Sequence, residues 1–120
     1  MSNIKIVETF IEAWNRLDMD AIEGMMAEDI FYHNVPMEPC YGIEGFRRMM
    51  AAMPPENCEW IVHAIAESGN KVLTERTDKM TINGKPLTIS LMGIFEIDGG
   101  KITQWRDYFD LAQMTSQLEG

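Results

Sequence analysis

The residues of this 120-residue sequence best suited to chemistry are Arg76, Asp78 and Asp107, with Tyr32 and Asn34 as a second group. In Val72-Leu73-Thr74-Glu75-Arg76-Thr77-Asp78-Lys79-Met80, strand alternation gives one face Val72, Thr74, Arg76, Asp78 and Met80. The opposite face, Leu73, Glu75, Thr77 and Lys79, is mostly polar. The face bounded by Val72 and Met80 is therefore the inward one, and Arg76 and Asp78 ride inward with it. By the same rule Trp105, Asp107 and Phe109 share a face opposite Arg106, Tyr108 and Asp110. Two large apolar neighbours mark the first of these faces as buried. Buried charges are costly unless paired, so Asp78, Arg76 and Asp107 have to satisfy one another. Tyr32 and Asn34 also share a strand face. A phenol beside a carboxamide can fix a water, one group donating and the other accepting.

The walls expected around these groups are Met80, Ile89, Leu91, Trp105 and Phe109, with several helix methionines. An apolar cavity with a few convergent polar groups suits a small hydrophobic substrate. Each feature also has a plainer reading. Arg76–Asp78 can be a structural ion pair, Asp107 an ordinary acceptor, Tyr32 and Asn34 strand-end residues, and the methionines core filler. His33 and His63 lack any metal-binding spacing, so no metal site is expected. Neither Cys40 nor Cys58 has an activating motif, and Asp98-Gly99-Gly100 reads as a turn and not as a phosphate loop.

The elements that must position these residues follow from periodicity. Val7, Phe10, Ile11, Trp14 and Leu17 recur at helical spacing and predict a first helix from about residue 3. Asp18 is the expected N-cap of a second helix carrying Ile22, Met25 and Met26. Ile30–Val35 reads as a strand stopped by Pro36 and Pro39. A third helix, from about Ile43 to Met53, places Phe46, Met49, Met50 and Met53 on one face and ends at Pro54-Pro55. The period then changes to two. Trp60–Ala66 and Lys71–Ile82 are predicted strands, Asn83-Gly84 a hairpin turn into Pro86–Ile97, and Lys101 to about Leu111 the last strand. Helices gathered ahead of an antiparallel meander predict an α+β domain, its helices on one face of a strongly bent sheet.

Length and composition agree. At 120 residues and 46% apolar the chain fits one domain, residues 1–120, with a core that needs no staple. Ten Lys and Arg against 19 Asp and Glu give a net charge of −9. That argues against sequence-independent nucleic-acid binding through phosphate neutralisation and against polybasic attachment to a membrane. No apolar run reaches the roughly 18 residues of a membrane span, and acidic residues come too early for a signal peptide. A soluble, cytoplasmic protein is expected.

Four segments together carry a resemblance: Phe31-Tyr32-His33-Asn34-Val35-Pro36-Met37-Glu38-Pro39, Val72 to Asp78, Met92-Gly93-Ile94-Phe95-Glu96, and Trp105-Arg106-Asp107-Tyr108-Phe109-Asp110. With them the chain resembles the limonene-1,2-epoxide hydrolase family, a branch of the cone-shaped fold shared with nuclear transport factor 2 and ketosteroid isomerase. The resemblance implies a strongly curved mixed β-sheet cone with three to four N-terminal helices on its concave side, a cystatin-like α+β barrel. It implies Asp107 as general base, Asp78 as general acid, Arg76 as the bridge between them, and Tyr32 and Asn34 as the water-positioning pair. It further implies a small apolar epoxide and water as substrates, no cofactor, and a homodimer. The chain lacks the N-terminal extension some members carry, which leaves open how the pocket is closed at that end. Opening an epoxide needs a proton on the departing oxygen and a base for the attacking water, which one ionised and one protonated carboxylate supply. Two alternatives stay open on the residues alone. A ketosteroid-isomerase-like or polyketide-cyclase-like enzyme needs only one carboxylate, and a non-catalytic binding module needs no water pair.

Overall fold

The computed structural model describes residues 2–119. Helices α1 (Asn3–Asn15) and α2 (Met19–Met25) lead into strands β1 (Met26–Asn34) and β2 (Cys40–Tyr41). Helix α3 (Gly42–Ala52) is followed by β3 (Pro55–Ser68), β4 (Lys71–Ile82), β5 (Lys85–Asp98) and β6 (Lys101–Tyr108), then α4 (Leu111–Leu118).

The first helix forms where its apolar residues recur, and Val7, Phe10, Ile11 and Trp14 are all buried. It stops at Asn15, so Leu17, expected on its face, packs from the following turn in a left-handed conformation at φ 51°. Asp18 caps α2 as expected by accepting from the Ala21 N–H at 3.1 Å. Met26 belongs to β1 and not to α2, because its backbone is already extended at φ −96°, ψ 145°. Asn83 and Gly84 both take positive φ, 52° and 77°, the two-residue turn that matches strand twist.

The six strands run in the order β2-β1-β6-β5-β4-β3. Strands β3 to β6 make the expected antiparallel meander, and β1 joins β6 in parallel, so the sheet is mixed. The sheet curls but does not close into a barrel. Its inner face and α1, α2 and α3 bury one aromatic-rich core around Phe10, Trp14, Phe46, Phe95 and Trp105. Phe10 meets Trp105 edge-on at 5.2 Å, and Trp14 stacks on Trp60 at 5.0 Å. A second cluster, Ile82, Leu87, Ile89 and Leu91, is covered by Met53, Phe109, Met114 and Leu118.

Four further elements depart from expectation. Strand β3 starts at Pro55, ahead of Trp60; it is an edge strand, where a missing N–H is tolerated. The short β2 was not expected from its two residues. The last strand ends at Tyr108, and the fourth helix is C-terminal: Asp110 accepts from the Ala112 N–H and starts α4. Strand β6 pairs with β5 only from Met92 onward, which leaves a free edge at Thr88 and Ser90. Gln117 spans the Thr88 N–H and C=O at 2.8 and 2.7 Å, and Gln113 spans those of Ser90 at 2.9 and 3.0 Å. A side-chain amide offers one acceptor and a donor just as a peptide group does, so two glutamines one helical turn apart stand in for a missing strand. Among the described residues no helix is long and apolar enough to cross a membrane.

Candidate active site

Alternation along β4 turns Thr74, Arg76 and Asp78 into the core, and along β6 it turns in Trp105 and Asp107; all five are buried. Register then sets them side by side. Thr74 is the partner of Gly93 across β4 and β5, Gly93 of Asp107 across β5 and β6, and Asp107 of Asn34 across β6 and β1.

The Arg76 guanidinium lies between the two carboxylates. Its Nε donates to Asp78 Oδ1 at 3.1 Å, and Nη2 donates to Asp78 Oδ2 and Asp107 Oδ2, both at 3.0 Å. Nη1 donates to Thr74 Oγ1 at 2.9 Å, and the Thr74 hydroxyl in turn donates to the Gly93 carbonyl at 3.1 Å. The guanidinium also lies over the Trp60 ring at 4.7 Å and the Phe95 ring at 5.6 Å. Asp107 receives a second donor, the Trp105 indole N–H, at 3.0 Å on Oδ1. Tyr32 stacks on Trp105 with ring centroids 4.0 Å apart, and Asn34 Nδ2 donates to the Tyr32 oxygen at 3.0 Å. That leaves the phenol proton and the carboxamide oxygen as a donor and an acceptor for a small polar molecule.

One cation faces two buried carboxylates, so neutrality calls for one proton on the pair. Burial pushes the Asp78 carboxyl up to about 6, against the pull of Arg76 and with the help of the Asp107 charge. Burial would lower Arg76, but the charges of Asp107 and Asp78 and their hydrogen bonds outweigh it and raise the guanidinium further. Burial, followed by the Asp107 charge, raises the Tyr32 phenol and keeps it a proton donor at neutral pH. The site thus offers a buried acid, a second carboxylate held by two donors, and a pair of groups able to orient water.

Asp78, Asp107, Tyr32 and Asn34 line one cavity that opens to solvent. Met80, Ile89, Leu91 and Phe109 form part of its wall. Trp105 does not: fully buried behind Tyr32, it supports Asp107 and Tyr32 from below instead of touching the cavity. The alternation rule gave its face but not its depth. The wall also includes Met37, Met114, Cys58, Trp14 and Trp60, which the sequence pattern does not place there. Burial pushes the Cys58 thiol up to about 11, so it remains a neutral wall residue. Thr74 and Gly93 were also passed over, although an isolated glycine inside a strand signals a close approach. His33 and His63 lie apart, engaged with the Met37 carbonyl at 2.8 Å and Thr77 Oγ1 at 2.7 Å.

The limonene-1,2-epoxide hydrolase catalytic domain family matches residues 1–119 of the chain. Epoxide hydrolase EphG of Mycobacterium tuberculosis is 35% identical over 113 residues, 93% of this chain and 76% of the relative. The structure of an M. tuberculosis epoxide hydrolase of the limonene-epoxide-hydrolase-like type superposes with a TM-score of 0.81 at 36% identity, covering 97% of this chain and 88% of the other. An NTF2-like protein of unknown function from Burkholderia pseudomallei shares the fold, with a TM-score of 0.84 at 22% identity over 100% of both chains.

Proposed function

This chain belongs to the limonene-1,2-epoxide hydrolase family and is an epoxide hydrolase, and from that premise we propose that it turns a small apolar epoxide into a vicinal diol in one step. Asp107 is the general base and Asp78 the general acid. Arg76 holds both, and Tyr32 and Asn34 orient the water. As the water oxygen bonds to an epoxide carbon, its proton passes to Asp107. The ring carbon–oxygen bond breaks and the departing oxygen takes the proton of Asp78. Asp78 is left charged and Asp107 neutral, and exchange with solvent restores the starting state.

Asymmetry about Arg76 carries this assignment. The water pair stands on β1, directly beside Asp107, whereas Asp78 lies on β4 across the guanidinium. Water is therefore delivered to one carboxylate, and the epoxide oxygen is left for the other. The apolar wall favours a substrate with little polarity beyond its epoxide oxygen. The homodimer belongs to the same proposal. Met92 and Tyr108, register partners on the outward face and each 49% exposed, are apolar surface that a second copy would cover.

The acid must carry its proton in the free enzyme. A carboxyl at about 6 loses it as pH rises, so kcat/KM is expected to fall about tenfold per pH unit once pH exceeds that value. The limb for kcat is expected at higher pH, because a bound apolar epoxide excludes water and further disfavours the charged acid. A pH–rate profile on an apolar cyclic epoxide measures both. A kcat/KM that stays flat from about pH 5 to 8 would remove Asp78 from the acid role.

A further inference from the structure

Resting on the proposed roles of Asp107 and Asp78, we infer that Thr74 and Gly93 are positioning residues, which together lock the Arg76 guanidinium in the one orientation that serves both carboxylates. Thr74, Gly93 and Asp107 form a single row of register partners across β4, β5 and β6. The middle position of that row has no side chain. A Cβ at Gly93 would lie 2.5 Å from Arg76 Nη1 and closer still to Asp107 Oδ1. The ion cluster therefore occupies the volume that any other residue would fill. A glycine inside a strand weakens it relative to alanine, and here that cost is matched by a close approach of charged groups that nothing else permits.

Thr74 supplies the direction. Its hydroxyl proton is committed to the Gly93 carbonyl at 3.1 Å, so its oxygen can only accept, and it accepts from Nη1 at 2.9 Å. With Nη1 held on that side, Nε and Nη2 are left to the carboxylates, and Nη2 must bridge Asp78 and Asp107. Thr74 and Gly93 line no part of the cavity, so neither touches substrate. They act through Arg76. If Nη1 lost its acceptor, the guanidinium could turn to seek one, and the division of charge between the carboxylates would change with it.

The test compares Thr74→Val, Thr74→Ser and Gly93→Ala with the parent enzyme. It uses steady-state kinetics on an apolar cyclic epoxide, a pH–rate profile, and carbon NMR of protein carrying labelled aspartate carboxyls. Thr74→Val keeps the shape and removes the hydroxyl. Its kcat is expected to fall roughly 10- to 100-fold with KM within about threefold, and the alkaline limb to move by about half a pH unit or more. Thr74→Ser, which restores the hydroxyl, is expected to recover activity to within about threefold of the parent. Gly93→Ala is expected to lose at least about 100-fold, since reacting groups are displaced by about an ångström. A Thr74→Val enzyme with parental kcat and limb overturns the inference, as does a Thr74→Ser enzyme as impaired as Thr74→Val. An active Gly93→Ala removes Gly93 from it; if that variant does not fold, the threonine pair decides. Should the parent turn over no epoxide, the proposed function fails first, and the carboxyl titration judges the inference alone. A midpoint moved by Thr74→Val and restored by Thr74→Ser supports it, and an unmoved midpoint overturns it.

Discussion

Asp107→Asn is expected to lower kcat by about 10³-fold or more while leaving KM within a few-fold, because the loss falls on proton removal from the attacking water. Both Asp107 oxygens accept hydrogen bonds, one from the Trp105 indole and one from Arg76. An asparagine has only one oxygen, so its amide nitrogen must face one of those donors. The variant therefore also loses a buried hydrogen bond, at about 1–3 kcal/mol. Chemical denaturation separates the two effects: a folded variant with residual activity near the parent's would show that Asp107 is not the base.

Arg76→Met is expected to give the largest loss of stability, about 3–5 kcal/mol near pH 8. Arg76 is the cation that both Asp78 and Asp107 contact, and its faces lie against Trp60 and Phe95, so its removal leaves two uncompensated carboxylates in an apolar shell. Without the guanidinium Asp78, already raised by burial to about 6, holds its proton more tightly still. Its folded-state affinity for a proton then exceeds that of the unfolded chain by more than in the parent, and the variant gains stability as pH falls through the raised value. Urea unfolding near pH 8 and near pH 5 is thus expected to show a smaller deficit at the lower pH. An equal deficit at both would mean that lost packing, and not stranded charge, sets the cost.

Much of this site is legible in sequence because side chains alternate along β4 from Val72 to Asp78 and along β6 from Trp105 to Asp107. Arg76 and Asp78 turn inward because Val72 lies on their face, and Asp107 turns inward because Trp105 does. Alternation says which face, but not how deep, and so it put Trp105 in the wall when it lies behind. Gly93 has no side chain to enter a hydrophobic pattern, and its function is defined by two groups on neighbouring strands that only register brings over it. Phe109 and Leu111 extend the alternating pattern, so the last strand is expected to run to about Leu111, which is instead the first residue of the C-terminal helix. Asp110 reverses that reading locally by capping Ala112, and Gln113 and Gln117 complete it through backbone groups of β5 far away in the chain. Local pattern fixed the faces, and pairing between distant strands fixed the chemistry.

A single turnover in oxygen-18 water, with enzyme in excess over an apolar cyclic epoxide, tests the direct attack of water most closely. Water activated by Asp107 puts the heavy oxygen into the diol on that first turnover. A first-turnover diol without label would mean that a carboxylate oxygen attacked the epoxide, and would contradict the one-step mechanism.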